Sequence, residues 1–181
     1  MKTMNVLKLS FFSLLITALI PVGIVAQNDD KEKLLNDANK AREEFIKTDP
    51  LMKNLFDNSF AYVIFPNVGK GGIGVGGAAG NGIVYHQGNA IGKAKMKQIT
   101  IGVQLGGQAY REVIFFESKA ALDQFKGDNF ELSAQASAVA ANKGASADVK
   151  YRNGILIFTQ EKGGLMYEAS VGGQKFDYSA F

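Results

Sequence analysis

The chain has 181 residues, of which 46% are hydrophobic and 20% charged, with a formal net charge of +3 and no cysteine. This length and composition predict one domain with an ordinary apolar core. The lack of cysteine excludes a disulfide framework and a lipid anchor attached through an N-terminal cysteine.

Residues 1–26 have the pattern of a secretory signal peptide. Lys2 and Lys8 are followed by a mostly apolar run that ends at the small residue Ala26. We therefore expect cleavage after Ala26 and a single mature domain over residues 27–181. The alternative is an uncleaved membrane anchor, because residues 9–26 are just long enough to cross a bilayer. Loss of the two lysines lowers the net charge to +1, so a nucleic-acid partner is not expected.

Three helices are predicted along the mature chain. Apolar residues recur at helical spacing from Leu34 to Ile46, with charged residues on the other side. Asp49 as N-cap and Pro50 at the first helical position predict a second, short helix. The third is predicted at residues 118–125, where Ser118 is the expected cap.

Short runs rich in β-branched and aromatic residues predict strands after Ser59. They lie at residues 60–65, 82–86, 98–105 and 109–116. The last of these has apolar groups on both faces at Val113 to Phe116, as in a central strand covered on both sides.

The C-terminal third is also predicted to be mostly strand. Residues 130–147 fit helix or strand, and we favour strand. Residues 154–160 and 164–171 predict a β-hairpin. The whole pattern predicts the α+β class, a mostly antiparallel twisted sheet packed with N-terminal and central helices.

Glycine dominates residues 67–82, which contain the spacing G-x-G-x-x-G at Gly72, Gly74 and Gly77. A dinucleotide fingerprint needs a helix directly after these glycines, but an Asn-Gly turn and another strand-like run follow. We therefore expect no cofactor here. Repeated glycine in a strand instead predicts that another backbone, a helix or a ligand comes close at Gly72, Gly74, Gly76 and Gly77.

A basic row is predicted in the sequence GKAKMKQ, residues 92–98. If this segment is extended, Lys93, Lys95 and Lys97 project from one face, about 7 Å apart. Lys70, in the preceding predicted turn, is a candidate fourth member. The row favours binding to several anionic headgroups. The alternative is that these lysines protect an exposed edge strand from aggregation, and the sequence does not separate the two.

Three ordered segments of this chain resemble the SYLF domain family. They are FAYVIFPNVGKGGIGVGGAAGNGIVY (60–85), ITIGVQLGGQAYREVIFF (99–116) and residues 151–173, within a resemblance that covers residues 31–178. It implies a non-catalytic domain that binds membrane lipids, notably phosphoinositides and other anionic lipids. Eukaryotic members also bind actin filaments, but an exported bacterial-type chain would meet no actin.

The sequence contains few candidate catalytic residues or metal ligands. His86 is the only histidine, and a lone histidine at a strand end is more often structural than catalytic. Nothing in the sequence places the acids Glu112, Glu117 and Glu131 together. No catalytic residue, no metal and no enzyme activity are therefore expected.

These observations predict an exported protein in the periplasm or outside the cell, peripheral to a membrane, that binds anionic phospholipid without catalysis. An alternative from another class is a periplasmic interaction module that holds a protein partner on its glycine-faced strand or on a sheet edge. A third, a nucleotide-dependent enzyme, would need the phosphate-binding loop rejected above.

Overall fold

The computed structural model describes residues 22–73, 75–101, 107–128, 130–134, 136–162 and 169–181. Its helices are α1 (Val22–Thr48), α2 (Met52–Asn58) and α3 (Lys119–Lys126). Its strands are β1 (Ala61–Ile73), β2 (Val75–His86), β3 (Asn89–Ile101), β4 (Gly107–Phe116), β5 (Phe130–Glu131), β6 (Ser137–Ala140), β7 (Ile155–Glu161), β8 (Ala169–Ser170) and β9 (Lys175–Ala180).

The described strands form one sheet in the order β5-β9-β3-β2-β1-β4-β7-β6-β8. Neighbouring strands are antiparallel except for β6 and β7, which are parallel. The predicted α+β class, with a mostly antiparallel sheet, is confirmed. The predicted signal peptide lies mostly outside the described residues and stays a prediction.

Each face of the sheet carries its own apolar core. The α1 face is covered by α1 and α2 and includes Tyr62, Ile64 and Phe115. The α3 face is covered by α3 and includes Val63, Phe65 and Phe116. The two sets alternate along β1 and β4 because successive side chains of a strand point to opposite faces.

The helices follow the sequence prediction except at two starts, because α1 begins earlier than predicted, at Val22, and α2 begins later. Ser118 caps α3, because its hydroxyl accepts a hydrogen bond from the Ala121 amide at 3.3 Å. α2 begins at Met52, two residues later than predicted. Asp49 is nevertheless a local cap, since its carboxylate accepts a 3.2 Å hydrogen bond from the Leu51 amide.

The prediction of a central strand at residues 109–116 is confirmed. The prediction of a C-terminal hairpin is wrong for the part of it that the structure describes. β4 lies between β1 and β7, and its residues 112–116 are all buried. β8 pairs with β6 and not with β7, and residues 163–168 of the expected hairpin lie outside the described residues. Where it is described, the ambiguous segment 130–147 contains the two short strands β5 and β6, with turns between and after them.

Pro66 divides the long central strands into two parts. The pairing register of β1 shifts between Ile64 and Asn67 on the β2 side and between Phe65 and Val68 on the β4 side. A proline has no amide hydrogen to donate to a neighbouring strand, so a break in regular pairing at this point is expected. We call the part of β1 before Pro66, with the strand segments beside it, the sheet base, and both of its faces are covered by helices. The part beyond Pro66 is the sheet extension, formed by residues 67–73, 75–81, 95–101 and 107–111.

Candidate functional site

The lysine row predicted in β3 is present on the α1 face. Lys95 and Lys97 are exposed and Lys93 is half-buried. Between them, Ala94 and Met96 point to the α3 face and are fully buried. The row therefore arises from simple strand alternation. Every second side chain points to the α1 face, and the intervening side chains fill the α3-face core.

The row does not protect a sheet edge. β3 pairs with β2 along its whole length and with β9 from Gly92 to Lys97. All three lysines thus lie on an internal strand of the described sheet. The interpretation of these lysines as edge protection, which the sequence left open, is wrong because that role requires unpaired backbone beside them.

Lys70 does not join the row. It lies within β1, not in a turn, and it is directly opposite Ala78 of β2, which in turn is opposite Gln98 of β3. Residues directly opposite each other share a face, and Ala78 belongs to the α3-face core. Lys70 is therefore on the opposite face from Lys97, one residue further along the extension.

A cleft of about 650 Å³ lies between the row and the first half of α1. Its lining mixes both signs of charge, with Lys33 and the three row lysines facing Asp30, Asp37 and Asp177. None of these groups forms an ion pair within 4.0 Å in the described part of the chain. The carboxylates weaken the positive potential inside the cleft, and Asp177 is directly opposite Lys95, whereas Lys97 is directly opposite another lysine, Lys175.

Two further cations lie on the α1 face, across the sheet from the row. Arg111 of β4 donates a 3.1 Å hydrogen bond to the side-chain oxygen of Gln160, and Lys162 bonds the side-chain oxygen of Asn67. Partial burial lowers the pKa of Lys162, with Arg111 acting in the same direction and Asp37 opposing it. We call Lys95, Lys97, Arg111 and Lys162 the basic band.

The floor between the two sides of the basic band has almost no side chains. Pairing places Lys97 opposite Ala79, Ala79 opposite Gly69, and Gly69 opposite Ala109. All four are exposed. Three strand spacings give this floor a width of about 14 Å. A flat surface of this size, bordered by cations, is open to a large anionic partner.

At Gly77, one of the glycines where a close approach was predicted, the neighbouring strand β3 comes close. A Cβ at Gly77 would lie 3.1 Å from the backbone oxygen of Gln98. Gly72 pairs with the buried Gly76, and Gly74 lies outside the described residues. No helix follows Gly77, because β2 continues to His86. The geometry of a dinucleotide fingerprint is therefore not formed.

The acids and the histidine singled out in the sequence are not assembled into a reactive centre in the described structure. Glu131 pairs with Lys175 at 3.3 Å, and Glu117 is exposed. The ring of His86 lies 4.6 Å from that of Phe60. Within the described ranges, no group of three or more His, Asp or Glu residues is placed to hold a metal ion.

Glu112 is the unusual acid, because it is fully buried on the α3 face. The side-chain amide of Gln174 donates hydrogen bonds to a Glu112 oxygen at 3.0 Å and to the Tyr110 hydroxyl at 3.5 Å. Among the residues that the structure describes, the other Glu112 oxygen has no hydrogen-bond partner. Burial raises the pKa of Glu112 to about 7, against the opposing effect of the Gln174 hydrogen bond. This group is closed off from the basic band by the sheet itself.

Sequence reasoning found the row but missed Arg111 and Lys162. Alternation along β4 puts Arg111 on the opposite face from Tyr110 and Glu112, which was visible in the sequence. The strand order β3-β2-β1-β4-β7 places Arg111 and Lys162 beside the same floor as Lys97, and this order brings together segments that are distant in the sequence. No local pattern carries that information.

Comparison with known proteins agrees with the SYLF resemblance. Residues 97–179 match the family model described as Ysc84, Las17-binding protein actin regulator. The chain is 28% identical over 142 residues to Beta cell expansion factor A of Aeromonas veronii, an alignment that includes 77% of this chain and 53% of the relative. The chain thus spans about half the length of the curated relative it matches.

No helix in the described part of the chain is long and apolar enough to span a membrane. The family match begins at Lys97 and includes Arg111 and Lys162, so three residues of the basic band lie inside the matched region and Lys95 lies just before it. The chain is therefore similar to the Ysc84 family model over its C-terminal part and to the Aeromonas veronii protein over most of its length.

Proposed function

We propose that this protein binds anionic phospholipid surfaces without catalysis, through the basic band and Lys93. The observation that carries the proposal is the exposed small-residue floor on the α1 face, with Lys95 and Lys97 on one side and Arg111 and Lys162 on the other. Phosphate groups of a membrane can approach this floor closely because few side chains stand on it.

Charge arithmetic favours weak, salt-sensitive binding. Each basic residue near an anionic surface contributes on the order of 1 kcal/mol, and this attraction falls off within a Debye length. Four such residues on one surface therefore support reversible attachment. Exact lipid preference needs contacts beyond simple charge.

The proposed location is outside the cytoplasm, at the membrane surface, because residues 1–26 resemble a signal peptide. The description of the family model names an actin regulator. An exported chain would not meet actin filaments, so lipid is the partner that we propose here.

Vesicle sedimentation tests the proposal with two charge-matched double variants. Lys95→Glu/Lys97→Glu reverses two charges of the basic band, whereas Lys143→Glu/Lys150→Glu reverses two exposed lysines elsewhere. At low salt, we expect the wild type and the second variant to sediment with phosphatidylglycerol vesicles. The first variant should bind at least about tenfold more weakly, since two attractions are lost and two repulsions are gained.

Equal binding of the two double variants would contradict the proposed site. Equal binding of the wild type to phosphatidylglycerol and to neutral phosphatidylcholine would contradict the electrostatic basis of the proposal. Circular dichroism of each variant checks that the sheet has formed before its binding is compared.

A protein partner is the second candidate function, and one feature favours it. β3 pairs with β9 only as far as Lys97, so among the described strands residues 99–101 have no neighbour on that side. Such an edge accepts an added strand from another chain. Crosslinking in cells separates the two candidates, because a single recurrent protein adduct that is independent of lipid favours this one.

A further inference from the structure

One large apolar side chain of the sheet extension is exposed on the same face as the basic band. Ile99 follows Lys97 on that face and is 81% exposed. The other two large hydrophobic side chains that are exposed in the described structure, Leu51 and Phe181, are 52% and 47% exposed. Ile99 thus stands out as an apolar side chain that the fold leaves in water.

The glycines explain this exposure. Ile99 is directly opposite Gly77, Gly77 is opposite Gly71, and Gly71 is opposite Gly107. β9 has already ended its pairing with β3 at Lys97. Because glycine has no side chain, nothing stands beside Ile99 across the neighbouring strands. The glycine-rich sequence therefore displays this isoleucine instead of burying it.

Strand pairing continues beyond Ile99 to the end of β3. The register places Ile101 opposite Val75, and Val75 opposite Ile73. We call this outer end of the sheet extension, on which Ile99 is exposed, the sheet tip. From the base outward, the α1 face thus changes from the helix-covered core to the basic band, and from the basic band to the exposed Ile99.

We propose that the sheet tip inserts into the acyl boundary of the bilayer while the basic band lies at the level of the lipid phosphates. This inference rests on the proposed function and adds an orientation to it. Lipid is the partner that fits this surface, because the basic band lies next to an exposed apolar side chain just as the charged headgroups of a bilayer lie next to its acyl chains.

The dimensions of the extension agree with this orientation. Ile99 is two residues beyond Lys97, which places it about 7 Å deeper along an extended strand. Interfacial protein segments typically bury their apolar side about 5–10 Å into the boundary of headgroups and acyl chains. Ile99 therefore reaches the depth at which an aliphatic side chain leaves water.

Lys70 has a place in this orientation. It lies on the α3 face at the level of Gln98, between the levels of Lys97 and Ile99. The extension thus carries cations on both faces where it would cross the phosphate layer. If lipid contacted only the α1 face, a cation on the α3 face would not reach the lipid phosphates. If the tip enters the membrane end-on, cations on both faces contact them.

Tryptophan fluorescence tests the insertion directly, because the chain contains no tryptophan. Ile99→Trp introduces one reporter at the sheet tip, and Leu51→Trp introduces a matched reporter at an exposed site outside the sheet extension. With phosphatidylglycerol vesicles, the emission of the first should shift to shorter wavelength and be quenched by brominated acyl chains. The emission of the second should not change.

A second variant measures what the apolar contact contributes to binding. Ile99→Ser should bind phosphatidylglycerol vesicles about tenfold more weakly than the wild type, which corresponds to about 1.4 kcal/mol. This ratio should persist at high salt, where screening has removed most of the lysine contribution.

The outcomes separate this inference from the proposed function. If Ile99→Trp sediments with vesicles but shows neither shift nor quenching, insertion is overturned while electrostatic attachment stands. If the wild type does not sediment at all, both are overturned. A shift of Ile99→Trp emission that depends on protein concentration and needs no vesicles would show a second copy at the tip and also overturn insertion.

Discussion

The sheet base and the sheet extension share strands β1 to β4, yet their side chains on the α1 face do opposite things. In the base, Tyr62, Phe115 and Phe158 pack under α1 and α2, and Phe65 and Phe116 fill the other face. In the extension, Gly69, Ala79 and Ala109 leave the α1 face bare. Strand pairing is continuous through both parts apart from the register shifts at Pro66 and between Val84 and Tyr85. Backbone pairing therefore shapes the sheet, while side-chain volume decides which part is stable and which part is available for binding.

The largest predicted effect contrasts one large apolar residue from each region. Phe115 is fully buried, with its ring 4.9 Å from that of Phe56 and 6.2 Å from that of Phe158. Phe115→Ala should lower the free energy of unfolding by about 3–5 kcal/mol because it leaves a cavity. Ile99→Ala should change it by less than about 0.5 kcal/mol. Urea denaturation of both variants makes the comparison, and similar losses would contradict the division into two regions.

The second prediction concerns pH and the buried Glu112 of the base. Burial raises the pKa of Glu112 from an ordinary 4.5 to about 7 in the folded protein, so folding favours the protonated form. The stabilising contribution is complete below about pH 4.5 and is lost as the pH rises to about 7, with a total loss on the order of 3 kcal/mol.

Glu112→Gln is the matched control for this titration, since the amide is neutral at every pH. The difference in unfolding free energy between the wild type and Glu112→Gln should change across this window and be flat on either side of it. Urea denaturation at several pH values measures it. A constant difference from pH 4 to pH 8 would show that Glu112 does not titrate as described.

The third prediction compares two glycines. A Cβ at Gly82, in the base, would lie 2.7 Å from the backbone oxygen of Ile64 and 2.7 Å from the ring of Phe65. A Cβ at Gly69, in the extension, would meet nothing within 4 Å. Gly82→Ala should cost about 1–3 kcal/mol through overpacking. Gly69→Ala should be neutral or stabilise by up to about 1 kcal/mol, because it reduces the entropy of the unfolded chain. Equal effects on the thermal midpoint would contradict the contrast.

Local patterns in the sequence predicted much of the base and part of the site. The alternation of Lys93, Lys95 and Lys97 with small or apolar residues fixes their common face, and Ser118 marks the start of α3. These features depend on neighbours within a few positions, so the sequence alone suffices to identify them.

Features that depend on pairing between distant segments were not predictable in this way. The face of Lys70 follows from the register of β1 beyond the shift at Pro66. The expected hairpin at residues 154–171 fails because β6, which is earlier in the chain, lies between β7 and β8. Arg111 and Lys162 join the basic band only through the pairing of β4 with β1 and β7.

The central claim is that the extension attaches the protein to anionic membranes by charge. It is tested most directly by the affinity of the wild type for phosphatidylglycerol vesicles over a series of salt concentrations. We predict tight binding at low salt, a steep fall as salt rises, and little binding to phosphatidylcholine at any salt concentration. An affinity that is unaffected by salt and equal for the two lipids would contradict the claim.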